Sequence, residues 1–123
     1  MDKNNFTVED VYELAVTMSE KGEYNEAFKC YSYTAERGHL SGQFNLAYCY
    51  FYGEGTAVNH KEAVKWYKIA AEKGHAKAQN SLAWCYYEGT GVEKNYEEAI
   101  KWWTEASKQG HEGAIKKLKE LRK

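Results

Sequence analysis

The chain has 123 residues, a net charge of −1 and no proline. That length holds one domain with a core of its own, and a near-neutral charge argues against nucleic acid, which takes a basic surface. Aromatic residues make up 15% of the chain and fall at helical spacing, which excludes a disordered composition.

Thr7 reads as an N-cap, with Glu9 and Asp10 in the turn that follows. The spacing predicts a first helix over 8–21, with Val11, Leu14, Ala15 and Met18 on one stripe and Gly22 at its end. A second helix over 24–37 carries Ala27, Phe28, Tyr31 and Ala35. Two more pairs are predicted, over 40–52 and 60–73, then over 76–88 and 96–109. Asn59 and Asn95 stand three residues before Glu62 and Glu98, the arrangement of a capping box, and mark the second helix of each later pair. Gly53, Gly55, Gly89 and Gly91 lie in the longer connections, while Gly38, Gly74 and Gly110 punctuate the ends of the pairs. Residues 111–123 begin a fourth unit without a partner helix. Ile115, Leu118 and Leu121 are expected inward and Lys116, Lys117, Lys119 and Lys123 outward, the polar cap that an array needs.

Residues 38–73 and 74–109 align without a gap, and fifteen of the 36 positions are identical. A repeat of this period is one supersecondary unit copied and stacked. The first copy reads Leu46, Ala47, Tyr50, Gly53, Gly55, Ala63, Trp66, Tyr67, Ala70, Ala71, Gly74, His75. The second reads Leu82, Ala83, Tyr86, Gly89, Gly91, Ala99, Trp102, Trp103, Ala106, Gly110, His111. This pattern resembles Sel1-like repeats, relatives of the tetratricopeptide repeat. The first pair resembles a plain tetratricopeptide repeat, in Leu14, Ala15, Gly22, Tyr24 and Ala27. It lacks the Gly-x-Gly connection, and Cys30 stands where Trp66 and Trp102 stand later. The resemblance implies an all-α, right-handed α-solenoid of three helix-turn-helix repeats plus a C-terminal capping helix. Its units are a tetratricopeptide-like repeat at 7–38, Sel1-like repeats at 39–74 and 75–110, and the cap at 111–123. Ala47, Ala63, Ala83 and Ala99 let helices approach. Leu46, Tyr50, Trp66 and Tyr67, with their copies, fill the spaces between.

No catalytic set emerges. Gly53-Glu54-Gly55 and Gly89-Thr90-Gly91 lack the third glycine and the preceding strand of a dinucleotide fingerprint. His39, His75 and His111 recur every 36 residues. Equivalent positions on stacked helices lie about 8–10 Å apart, whereas zinc takes nitrogens at about 2.0–2.1 Å. They read as repeat punctuation, with no metal. Cys49 and Cys85 share one repeat position, too far apart to bridge, and read as small buried hydrophobes. Some Sel1-like proteins are cysteine-rich and secreted, and bind or hydrolyse β-lactams. Neither their paired-cysteine pattern nor a Ser-x-x-Lys nucleophile motif occurs here. The expectation is no enzyme and no cofactor. No apolar run reaches membrane-spanning or signal-peptide length, and three cysteines make no disulfide scaffold, so a cytoplasmic location is expected.

In this family the first helix of each pair lines the concave surface. Positions i, i+4 and i+7 share a face, here Tyr12, Val16 and Ser19, then Phe44, Tyr48 and Phe51, then Asn80, Trp84 and Tyr87. None is expected to be needed for pairing with the second helix, and six of the nine are aromatic. They suit a groove that holds a partner's peptide or helix, because aromatics anchor interfaces. Asn45, Lys77 and Glu88, with Glu9, Glu13 and Glu20, would select the partner by charge. The competing reading packs these rings against each other. Glu9 and Glu13 argue against an acidic-tail clamp and favour a neutral or basic segment. An adaptor, a regulator or a toxin-neutralising partner all fit the resemblance. The chain is expected to be a monomer or weak homo-oligomer; the alternatives are a β-lactam-binding or hydrolysing enzyme and a scaffold that self-associates through 111–123. That end is basic, with six basic and two acidic residues over 108–123, against eight acidic and four basic over 1–40.

Overall fold

The structure is a computed structural model and describes residues 5–123. Among the described residues there are seven helices and no strand. They are α1 (Val8–Glu20), α2 (Tyr24–Glu36), α3 (Leu40–Tyr52), α4 (His60–Glu72), α5 (Ala76–Glu88), α6 (Tyr96–Lys108) and α7 (Glu112–Leu121). Each helix packs on the next, so the chain builds an all-α solenoid of successive pairs.

The helix starts explain much of the repeat. Thr7 makes a full capping box, accepting from the Asp10 N–H while Asp10 accepts from the Thr7 N–H. At Asn59 and Asn95 the expected box is only half made. Each asparagine accepts from the N–H of Glu62 or Glu98, at 3.1 Å. The return bond is replaced: the Asn59 and Asn95 N–H groups donate to the carbonyls of Tyr50 and Tyr86, both at 2.8 Å. The cap thereby ties the connection to the last turn of the preceding helix, and the glutamates are released to solvent-side contacts with Lys65 and Lys101. His39, His75 and His111 are N-caps too. Their Nδ1 atoms accept from the N–H groups of Gly42, Ala78 and Ala114 at 2.9, 3.1 and 3.1 Å. That role explains their recurrence, because one orphan donor of each first helix is satisfied there.

The second glycine of each Gly-x-Gly is set by packing. A Cβ on Gly55 would stand 2.2 Å from the Tyr24 carbonyl oxygen, and one on Gly91 2.4 Å from that of His60. Both have positive φ, at +77° and +73°, where a side chain is also strained. The connection is pressed onto the first turn of the preceding repeat's second helix. A buried glutamine completes the stacking: Gln43 and Gln79 donate to the carbonyls of Ala35 and Ala71 at 3.2 and 3.1 Å. An identical polar residue inside a buried turn of both copies was the sequence signal for them.

The core forms two clusters, one joining α1, α2 and α3 and one running from α3 to α7. Ala47, Ala63, Ala83 and Ala99 are fully buried where helices meet, and Trp103, Leu82 and Thr34 are the largest side chains sealed inside. Three sequence expectations change. Leu14 is 47% exposed, because α1 has a neighbour only on the side of α2 and α3. Trp66 is half-buried at the junction of the two clusters, with the Lys65 ammonium 5.1 Å from its ring, while its copy Trp102 is buried. Of the three α7 residues expected inward only Leu118 is buried, with Ala114 beside it; Ile115 is half-buried and Leu121 lies at the surface, since no further helix among the described residues covers that side. Cys49 and Cys85 are buried as expected, and burial pushes both thiols up to about 12. Cys30 is half-buried.

Candidate functional site

The first helices α1, α3 and α5 stand side by side and enclose two hollows. One, of about 400 Å³, lies between α1 and α3 and is lined by Tyr12, Val16, Ser19, Phe44, Asn45, His75 and Lys77, among others. The other, of about 280 Å³, lies between α3 and α5 and is lined by Phe51, Tyr52, Tyr67, Asn80, Ser81, Trp84 and Glu88. Of the expected groove residues, Tyr12, Phe44, Asn45 and Lys77 thus meet at the first hollow. Phe51, Asn80, Trp84 and Glu88 meet at the second. Tyr48 borders neither and stands on the open surface, and Tyr87 faces α7 and a third hollow with Tyr96, Ile100 and Leu121.

The rings divide into open and packed. Tyr48 is 39% exposed and Trp84 37% exposed, at the same repeat position. Tyr12 stacks on His39 with centroids 4.5 Å apart, and Phe44 stacks on His75 at 4.7 Å, so these two N-cap histidines each cover the leading ring of the preceding repeat's first helix. Phe51 and Tyr87 lean on Tyr67 and Trp103 of the second helices, at 6.2 and 5.4 Å. The expectation that these positions take no part in pairing is therefore corrected. Phe44, Phe51 and Tyr87 pack against the core, because the second helix of each later repeat carries a ring at the facing position.

The polar groups are partly engaged. Asn45 donates to the Tyr12 hydroxyl at 3.2 Å and the Ser41 carbonyl at 2.9 Å. The Trp103 indole N–H donates to the Asn80 side-chain oxygen at 2.9 Å. Burial holds the His75 imidazole below its ordinary range, helped by the neighbouring Lys77 charge, which suits a ring nitrogen that must stay unprotonated to accept a backbone N–H. Among the described residues no three His, Cys, Asp or Glu side chains converge on a metal position.

Lys117 departs most from expectation. It does not point outward. Its side chain is largely covered and its ammonium lies 4.5 Å from the Tyr87 ring centre, 4.9 Å from Trp84 and 5.9 Å from Trp103. The reason is positional: α7 packs on α6 as α5 packs on α4, so residue 117 takes the place that Ser81 takes one repeat earlier. Sequence reading missed it because a lysine-rich amphipathic helix looks like a solvated face.

The Sel1 repeat pattern matches residues 11–39, 40–75 and 76–111. The first unit is thus matched as a Sel1 repeat as well, without the longer connection. Among solved structures, the chain is similar to c5321, a protective antigen present in uropathogenic Escherichia coli strains and displaying an SLR fold. The identity is 33% and the TM-score 0.86, over 90% of this chain and 25% of that one. A Sel1 repeat protein from Oxalobacter formigenes is 35% identical, with a TM-score of 0.81, over 88% of this chain and 46% of that one. Cysteine rich protein B of Helicobacter pylori shares the fold at 21% identity and a TM-score of 0.70, over 88% of this chain and 92% of that one. The chain thus spans a quarter to just under half of the first two. No protein of curated function matches the sequence. With three matched units covering most of its length, the chain belongs to the Sel1-repeat family.

Proposed function

We propose that the chain is a non-enzymatic interaction module that holds a peptide or helix of another protein across its inner face, as an adaptor or regulator. Sel1 repeats generally mediate contacts between proteins. The observation that carries the reading is the exposure of Tyr48 and Trp84 on that face, with Trp84 at the rim of the second hollow and the likewise exposed Tyr52 beside Tyr48, while Phe44, Phe51 and Tyr87 pack against the core. Large rings with few rotamers to freeze are efficient anchors. Tyr12, Phe44, Asn45, Phe51, Lys77, Asn80, Tyr87 and Glu88 would shape and charge the surroundings. We further read 1–123 as one repeat domain acting in the cytoplasm; no described helix is long and apolar enough to cross a membrane.

Selection of a displayed random peptide library against the chain tests this. Enriched peptides should bind the wild type and lose at least tenfold in affinity, about 1.4 kcal/mol, against the Tyr48→Ala, Trp84→Ala double variant, whose melting temperature should stay within a few degrees. No enrichment, or binding that survives in a folded double variant, would end the proposal. The alternative, self-association at the C-terminal end, is favoured by the surface group Tyr96, Ile100 and Leu121 around the third hollow. Light scattering across concentrations separates the two, since the groove reading leaves the mass of the chain constant.

A further inference from the structure

The third repeat displays what one corner of this face accepts. Trp84 stands nearly perpendicular to both Trp103 and Tyr87, at 86° and 87°, while those two meet at 59°, so the three rings wall a corner. The ammonium of Lys117 fills the space they bound, within 6 Å of every ring centre. A cation there is held by the ring quadrupoles and by the Glu120 carboxylate 3.8 Å away on the same helix, and the rings shield it from competing water.

Lys117 lies six residues after its cap, His111. Six residues after His75 stands Ser81. The corner that Ser81 borders is built alike: Phe51 and Tyr67 correspond to Tyr87 and Trp103, and they meet at 57°, against 59° for that later pair. Tyr52 adds a ring 4.9 Å from Phe51, and Trp84 borders the corner from α5. Serine is too short to fill it, and a hollow of about 280 Å³ remains. Glu88 is the one charged residue among those lining it. In the first repeat Val16 and Ser19 replace two of the rings, so that corner is not built there.

We infer that the open corner of the second repeat is a subsite for a lysine or arginine side chain of the partner protein. The inference rests on the binding reading above and names the chemistry of the partner. Two observations carry it. The molecule places its own lysine in the sister corner, beside the Glu120 carboxylate, and the open corner likewise has a carboxylate at its edge, that of Glu88. An anion would face both ring π-clouds and Glu88.

The test uses Nα-acetyl-lysine methylamide as probe and Nα-acetyl-norleucine methylamide as its uncharged control. Each is titrated into the full chain and followed by aromatic and indole NMR signals. The lysine probe should shift Phe51, Tyr67 and Trp84, and bind at least tenfold more tightly than the control. Ser81→Lys should fill the corner from within and abolish those shifts. Lys117→Ser should open the second corner and add shifts at Tyr87 and Trp103. Glu88→Gln should weaken binding two- to threefold. Equal binding of both probes overturns the inference, as does undiminished binding in a folded Ser81→Lys. Should that variant not fold, Lys117→Ser decides, and unmoved Trp103 signals overturn it. A lysine probe that binds when no library peptide does removes the inner-face reading and leaves the corner. Peptides that need Tyr48 and Trp84 but ignore the lysine probe remove the corner and leave the inner face.

Discussion

The second and third repeats share their caps, their connections and 15 of 36 residues, yet one corner is open in the first of them and closed in the other. The residue that fills the corner is serine at 81 and lysine at 117, while the walls change as well, from Phe51 and Tyr67 to Tyr87 and Trp103. In a stacked array the backbone register determines which side chains meet, so a substitution at one register position changes the surface without disturbing the fold. The outer faces differ in the same manner. Trp66 is half-buried where its copy Trp102 is buried, and Gln109, which stands where Lys73 stands one repeat earlier, donates to Gln79 at 3.0 Å.

The largest expected effect tests whether the closed corner is core. Trp103 is fully buried and its indole N–H is bonded to Asn80. Trp103→Ala should cost about 3–5 kcal/mol in a denaturant melt, as truncation of a large buried ring does. Trp66→Ala should cost clearly less, and an equal loss would show that the two repeats are packed more alike than their exposure indicates.

A middle-sized effect comes from the cap between the two corners. The folded chain holds His75 below its ordinary value of 6.5, through burial first and Lys77 second. The unfolded chain therefore binds the proton more readily, and stability must fall as pH drops below about 6.5. Protonation also takes the Nδ1 lone pair from the Ala78 N–H. His75→Asn keeps a capping oxygen that does not titrate, so it should remove about 1 kcal/mol of the loss between pH 7 and pH 5, in line with the worth of a cap. An unchanged pH profile of melting would exclude His75 as its source.

The smallest effect concerns the lysine itself. Lys117→Met keeps the length and removes the charge. It should destabilise the chain by about 0.5–1 kcal/mol, the range for a partly exposed cation over aromatic rings, and alter the tryptophan emission. A gain in stability would mean that ring contact with the methylene stem outweighs the charge.

Much of the fold was legible because helical signals are local. Thr7, Asn59 and Asn95 mark helix starts, and the 36-residue repeat imposes one supersecondary unit on both later pairs. The periodicity of the first helix puts Leu14 inward, yet Leu14 is exposed, since an apolar stripe does not say whether a neighbour covers all of it. The half-made capping boxes show the same limit. The asparagine is a local signal, but the bond that replaces the glutamate's runs from its N–H to a carbonyl of the preceding helix. Tyr48 and Trp84 were legible as face positions, and their exposure was not.

By its own order of residues the chain determined the helices, their pairing and the recurrence of caps, small contact residues and rings, all set by interactions within a few positions or by the 36-residue repeat. Which rings stay open, which histidine is shielded and where Lys117 goes were decided only when the helices stacked. Burial and cation–ring contact depend on neighbours 14 to 33 residues away, as between Lys117 and its rings at Trp103 and Trp84, and that distance has no local signature.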